Sequence, residues 1–357
     1  MRILFAGTPD AAVPSLDALL ASGHEVAGVL TRADAPQGRG RRLVPSPVKA
    51  RALEQGLPVL EQRPRGEEFL ARLAELGVEA VAVVAYGEIL RREALDAVPY
   101  GWINLHFSVL PAWRGAAPVQ RAVIAGDEYT GATTFVIEEG LDSGPVLGVA
   151  TQRIGPRTTA GELMVTLAES GAHLLVATMD AIADGSALPV PQLAEGVSHA
   201  PKLTVEEGRV EWSRPALHID RLVRGFTPNP GAWTTLPDGQ RLGLGPVTAA
   251  AERTDLRPGQ VEAGKRQVLV GTGTHAVALS TVAPQGRKTM AAADWARGAR
   301  LEPGTVLGGV ATGDPGASTA SSEGATAGSG TTAGSGTPRD PSTTTSSTST
   351  GTDGTDA

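Results

Sequence analysis

Residues 80–87 read AVAVVAYG, an unbroken apolar run closed by a tyrosine and a glycine. The run is too short for a helix and has no polar alternation, so it suits a strand buried on both faces. Working outward, units of the same kind recur. Upstream, Arg2–Gly7 reads as a buried strand, Ala11–Ala21 as a helix with Leu16, Leu19 and Leu20 on one face, and Glu25–Thr31 as a second strand. A polar loop from Arg32 to Pro47 leads to a helix over Val48–Gln55, a short strand at Pro58–Leu60 and a helix over Glu67–Leu76. Downstream, Trp102–Leu105 and Ala132–Ile137 read as strands around a helix over Pro118–Ala125. Thr159-x-x-Glu162 is a capping box that opens a long helix through Asp184, with Leu163, Leu167, Leu174 and Ile182 among its buried candidates. Strands alternating with helices predict an α/β fold built on a doubly wound, mostly parallel sheet.

The pattern changes after Gly185. Pro189, Pro191 and Pro201 punctuate a stretch without periodicity, which reads as a linker. From 208 to 308 the chain breaks into short β-rich pieces: Arg209–Trp212, Ala232–Leu236, Arg241–Leu244, Gly259–Ala263, Gln267–Val270 and Ala276–Val282. One helix over His218–Gly225 interrupts them, and Pro237-Asp238-Gly239 is a turn signal. A small all-β barrel fits this spacing, with a sandwich as the alternative. The predicted domains are therefore 1–188, a linker over 189–207, a barrel over 208–308 and a tail over 309–357. Gly, Ser or Thr fill 31 of the 47 positions from 311 to 357, and no Val, Ile, Leu, Met, Phe, Trp or Tyr occurs there. Such a segment has nothing large to bury against the entropy of ordering it, which predicts disorder.

With 357 residues and 41% hydrophobic side chains, the chain is long enough for two cored domains. It has no cysteine, which excludes disulfides, thiolate catalysis and cysteine metal sites, and cytoplasmic residence is expected. The first residues are already strand-like and have no signal-peptide layout. No apolar stretch reaches the ~18 residues of a membrane helix. The net charge of −7 argues against a globally basic nucleic-acid binder, but the charge is unevenly spread. The tail carries five acids and one base, a net of −4, leaving −3 for the rest. Within that rest, Arg32, Arg39, Arg41, Arg42, Lys49 and Arg51 face one acid, Asp34, giving a local +5. Such a loop beside a crevice could clamp a phosphate backbone; the alternative is a solvated surface loop. Lys202, Arg221, Arg224, Arg241, Arg287 and Lys288 could extend the basic path onto the second domain.

Ligands of an open parallel sheet bind at the carboxyl ends of its strands. The first strand runs into Ala6-Gly7-Thr8-Pro9-Asp10, which is neither a dinucleotide fingerprint nor a Walker loop. The informative end is Asn104-Leu105-His106-Phe107-Ser108-Val109-Leu110-Pro111. Residues two apart share a strand face, so Asn104 and His106 project together, one an amide donor and the other titrating near neutrality. After the next strand, a glycine-flanked turn carries Asp142. An Asn, a His and an Asp without cysteine suit charge stabilisation and proton transfer better than metal binding. The plain alternative is a loop histidine and a turn-forming aspartate.

FAGTPD at 5–10, GRGRRLVPSPVK at 38–49, VVAYGEIL at 83–90, NLHFSVLPAWRGAAPVQRAV at 104–123 and GLDSGPVL at 140–147 together resemble the methionyl-tRNA formyltransferase family. RLVRGFTPNPGAW at 221–233 and APQGRKTM at 283–290 resemble its C-terminal domain. The likeness covers roughly 1–308 and implies a formyltransferase fold followed by an OB-like barrel. It also implies transfer of formyl from 10-formyltetrahydrofolate to the amine of methionine on initiator tRNA, without a metal. By this resemblance Asn104, a protonated His106 and Asp142 are catalytic. Ser108, Val109, Leu110 and Pro111, with Ala85, Tyr86 and Gly87, would line the folate site. Arg39, Arg41, Arg42 and Lys49 would bind tRNA, and a monomer is expected. The family usually has glycine and leucine where this chain has Phe107 and Val109. Phe107 is expected to narrow the folate pocket, and would be strained if that position had positive φ.

Three rivals remain. A formyltransferase for an amino-sugar nucleotide or other small amine keeps the chemistry but has no need of the basic loop. A purine-pathway enzyme would be shorter, and a non-catalytic tRNA-binding protein would not keep Asn104, His106 and Asp142.

Overall fold

A computed structural model describes residues 1–37 and 42–309. The predicted tail from 310 onward lies outside the described residues, as do Arg39 and Arg41; of Arg42 only the backbone is described. The first part of the chain runs β1 (Arg2–Gly7), α1 (Val13–Leu20), β2 (Glu25–Leu30), β3 (Ala35–Gln37), β4 (Arg42–Val44), α2 (Pro47–Glu54), β5 (Val59–Leu60) and α3 (Gly66–Glu75). It continues through β6 (Ala80–Val84), α4 (Arg92–Leu95), β7 (Trp102–His106), α5 (Pro118–Ala125), β8 (Tyr129–Val136), β9 (Val146–Arg153) and α6 (Ala160–Ala183).

Seven strands form one sheet in the order β5-β2-β1-β6-β7-β8-β9, parallel through β7 and antiparallel across β8 and β9. The apolar runs are buried on both faces, as their lack of alternation predicts. Ile3, Phe5, Ala80, Ala82 and Val84 face a core shared with α1, α2, α5 and α6. Leu4, Ala6, Val81 and Val83 face a second core with Phe69 and Leu73 of α3 and Ala94 of α4. Burying both faces of each strand keeps the parallel sheet out of water. The capping box is formed: Thr159 Oγ1 accepts from the Glu162 amide at 3.3 Å and Glu162 accepts from the Thr159 amide at 2.9 Å.

After α6 come α7 (Ala216–Phe226), β10 (Ala232–Thr235), β11 (Arg241–Leu244), β12 (Val247–Ala250), β13 (Val261–Ala263), β14 (Val268–Val270), β15 (Ala276–Leu279), β16 (Thr281–Pro284), β17 (Met290–Ala291) and α8 (Ala292–Ala299). Two four-stranded antiparallel sheets, β10-β11-β16-β17 and β12-β15-β14-β13, close around a core that includes Leu242, Val270, Val277, Val282 and Trp295. This is the small barrel expected from the strand spacing. The chain passes between its sheets twice, at Gly245-Pro246 and at Ser280, and these corners bond to each other through Ser280 Oγ and the Pro246 carbonyl.

Several predicted elements differ. The polar loop over 32–47 contains the β3–β4 hairpin. The single strand expected over Ala276–Val282 breaks at Ser280, where the chain changes sheets. Arg209–Trp212 makes only an isolated bridge, Arg209 to Trp233, and β9, β12 and α8 lacked a readable pattern. Ser46 is the cap of α2, its Oγ accepting from the Lys49 amide at 3.0 Å, so that helix begins at Pro47.

Candidate active site

The parallel register aligns the carboxyl ends of β1, β6 and β7, with Gly7 beside Val84 and Val83 beside Asn104. Ile103 and Leu105 point into the core, so the strand's other face carries Asn104, half-buried, and His106, which is 6% exposed. Asn104 makes no side-chain hydrogen bond to another described residue, which leaves its amide for a ligand.

His106 is held from two sides. Its Nε2 lies 2.9 Å from the carbonyl oxygen of Trp113. A carbonyl only accepts, so Nε2 is the protonated nitrogen and Nδ1 is the one that titrates. Nδ1 faces Asp142 Oδ2 at 3.7 Å, and that oxygen accepts from the Gly115 amide at 2.7 Å. Burial pushes the His106 imidazole below its ordinary value, and the opposing pull of Asp142 and the Trp113 carbonyl does not offset it. At rest, desolvation thus favours the neutral ring, whereas the protonated His106 expected in the reaction is the form that Asp142 favours.

The backbone around this pair is unusual. Ala85, Trp113 and Asp142 have φ of 49°, 61° and 47°, and the one other described non-glycine residue with positive φ is Arg300. Such positions cost on the order of 1–3 kcal/mol each and persist only where surrounding contacts impose them. For Trp113 those contacts are its indole Nε1 donating to Asp127 at 2.7 Å and its amide donating to Ser198 Oγ at 2.9 Å. Together they aim its carbonyl at His106.

The turn after β7 is built from inside. The buried Thr133 of β8 donates to the Ser108 carbonyl at 2.7 Å and accepts from the Leu110 amide at 3.1 Å. Ser108 itself is fully buried and spends its hydroxyl on the Ala112 carbonyl at 2.6 Å. Its side chain shapes the turn rather than presenting a polar group, while Val109 and Pro111 are half-buried and Leu110 is buried. Tyr86 is buried and burial pushes its hydroxyl up to about 12, so it stays a neutral phenol; its carbonyl accepts from Thr8 at 3.1 Å, tying the turn after β6 to the end of β1. Gly87, with φ of 82°, supplies the left-handed residue of that turn.

Phe107 does not narrow a pocket. It is 6% exposed, joins the core beneath the sheet with Ile103 and Leu105, and is not among the positive-φ residues, so its side chain is unstrained. The basic-path expectation also changes in part. Lys49 Nζ bonds Asp34 at 2.7 Å and Glu61 at 2.9 Å, contacts that raise its pKa and consume its charge locally. Arg224 is buried against Asp220 and the Thr158 carbonyl, and Arg221 reaches the Ala125 carbonyl at the end of α5. Lys202, Arg287 and Lys288 remain exposed, and Arg241 stacks on Trp233 at 4.1 Å. Among the described residues no group of three or more His, Asp or Glu is arranged to hold a metal ion. Trp113, Thr133 and Gly115 escaped sequence reading, since a backbone carbonyl, a buried hydroxyl and an amide leave no motif of their own.

The family described as Formyl transferase matches residues 1–179, and the one described as Formyl transferase, C-terminal domain, matches residues 202–300. The methionyl-tRNA formyltransferase of Streptomyces griseus is 60% identical over 310 residues, 86% of this chain and all of that protein. That of Thermobifida fusca is 59% identical over 309 residues, 86% of this chain and 99% of that protein. The crystal structure of HypX from Aquifex aeolicus in complex with tetrahydrofolic acid has a TM-score of 0.57 at 18% identity, over 83% of this chain and 47% of that one, a likeness of fold. With both halves of the fold matched and more than half of all residues shared with such relatives, the chain belongs to the methionyl-tRNA formyltransferase family.

Proposed function

We propose that this chain transfers the formyl group of 10-formyltetrahydrofolate to the amino group of methionine on initiator methionyl-tRNA, acting as a monomer. The observation that carries the chemistry is the convergence of Asn104, His106 and Asp142 at the carboxyl end of β7. The family and the relatives' 60% identity across both domains favour tRNA as acceptor over a small amine.

The residues present fit such a donor. An unpaired amide and a His–Asp pair stand beside two turns, 85–87 and 108–111, whose backbone is fixed by Thr8 and Thr133. The bound donor supplies the formyl carbon and the nitrogen that departs. In the transfer a bond forms from the acceptor amine to that carbon, the bond to the donor nitrogen breaks, and one proton passes from the amine to the departing nitrogen.

The protein's part is to move that proton and to steady the formyl oxygen as it gains negative charge. Neutral His106 accepts at Nδ1, because Nε2–H is committed to the Trp113 carbonyl. The imidazolium so formed lies against Asp142, whose charge favours it, and the proton can then be returned through water. Asn104 donates to the formyl oxygen, an interaction of the kind worth about 3–4 kcal/mol in other oxyanion holes. Arg39, Arg41 and Arg42 grip the acceptor end of the tRNA. Lys49 supports them indirectly by bonding Asp34 just before β3, at the foot of the hairpin.

The test is formyl transfer to charged initiator tRNA, charged elongator tRNA and a panel of free amines. Rapid transfer to the initiator alone supports this reading. Transfer to a small amine in its place would keep the site chemistry and discard the tRNA acceptor.

A further inference from the structure

The predicted linker over 189–207 is bonded along its length to the loops that carry the site. Val190 exchanges hydrogen bonds of 2.7 and 2.8 Å with Val146 at the start of β9. Further on, the Ser198 carbonyl accepts from the Arg114 amide at 2.9 Å, and Ala200 bonds both Arg114 and Ala117. Arg121 of α5 reaches the Pro201 carbonyl at 3.1 Å. Between these fastenings, residues 193–197 are exposed, and just before them stands Gln192.

The Gln192 amide spans the site's two loops. Its Oε1 accepts from Arg114 Nε at 3.1 Å and Nη2 at 2.6 Å. Its Nε2 donates to the carbonyls of Asp142 and Gly144, both at 2.8 Å. Both N–H groups and both acceptor positions of the amide are thereby used. The carbonyls it holds belong to the turn in which Asp142 takes a left-handed conformation, φ 47°. Aspartate reaches that conformation more readily than most residues, but it still costs free energy that surrounding contacts must offset. Those contacts keep the Asp142 carboxylate on the Gly115 amide and toward His106.

We infer that Gln192 is a positioning residue for formyl transfer, locking the Asp142 turn to the Arg114 loop so that the Asp142 carboxylate meets His106. This rests on the reading that Asp142 supports His106 in the reaction. The two halves of the amide are separable. Gln192→Glu keeps an acceptor for Arg114 but sets a carboxylate oxygen against the carbonyls of Asp142 and Gly144; Gln192→Ala removes both halves.

The experiment compares the full chain with Q192A, Q192E and D142A by steady-state formyl transfer to charged initiator tRNA and by thermal melting. Both Gln192 variants are expected to lose kcat by about tenfold to a hundredfold, the effect of roughly 1 Å of misplacement at a site. KM for tRNA and for the donor should stay within about twofold, and Tm within a few degrees. Wild-type kcat in Q192A, with D142A inactive, overturns the positioning role alone. Loss in Q192A with full kcat in Q192E overturns it as well, because Gln192 would then act through Arg114. A joint fall in kcat and Tm with risen KM values would make it a packing residue only. Full kcat in D142A would instead refute the role of Asp142 on which the inference rests.

Discussion

His106 lies between a carbonyl that holds Nε2 at 2.9 Å and a carboxylate that faces Nδ1 at 3.7 Å, in a setting that excludes nearly all water. Desolvation disfavours its charged form, so the ring is neutral in the resting protein and its Nδ1 lone pair is ready to accept a proton. The consequence for pH runs in one direction. The accepting form exists above the folded-state pKa, which lies below the ordinary 6.5, so the His106 ring in the free protein should titrate below 6.5 when followed by NMR; kcat/KM would not isolate it, because the attacking amine must itself be neutral. Because the Asp142 charge raises this pKa, D142N should move that midpoint to still lower pH and also reduce kcat. A midpoint above 6.5 for this ring in the wild-type chain would contradict the neutral assignment. Asn104→Ala should lower kcat by about 10²–10³ with little change in the donor's KM, the cost of one lost oxyanion donor. Asn104 and His106 were legible because a strand's period of two puts them on one face. The charge on His106 was not, since it depends on burial.

Helices α5, α6 and α7 join the two halves of the fold, and their contacts are close. A Cβ on Gly225 of α7 would stand 2.3 Å from Ile124 Cγ1 of α5, and one on Gly161 of α6 would stand 2.5 Å from Pro228 Cδ. The Gly161 amide also donates to the Thr227 carbonyl at 3.0 Å, so the first turn of α6 is completed by the chain leaving α7. Proline has no flexible end to swing aside. Gly161→Ala is therefore expected to destabilise by about 1–3 kcal/mol through overpacking, less the ~1 kcal/mol alanine gains over glycine in a helix. The check is a lowered Tm in thermal melting; an unchanged or raised Tm would show that the Pro228 ring yields. Capping made α6 readable from Thr159 and Glu162 alone, because the box uses groups three residues apart. Strand β9 gave no such signal. It is an edge strand with exposed positions at alternate residues, and only pairing with β8 makes it a strand. The break at Ser280 is likewise a property of two sheets meeting, invisible in AVALSTV.

The described chain combines a doubly wound sheet, a small barrel and a segment between them that is fastened to the Arg114 and Asp142 loops of the candidate site. The composition of 311–357, without large apolar side chains, predicts that deleting it leaves Tm and formyl transfer unchanged. A loss of either would assign the tail a role in folding or catalysis. Local information reached as far as local physics does. Apolar runs specified strands buried on both faces, a capping box started a helix, residue spacing paired Asn104 with His106, and the likeness to a family pointed to formyl transfer. Contacts between residues distant in sequence decided the rest. They neutralised His106 by burial, turned Phe107 into the core, spent Lys49 and Arg224 on neighbouring acids, and made a proline-rich stretch into a brace carrying Gln192. Each of these depends on which groups meet after folding, and a side chain's charge, exposure and partner are settled only there.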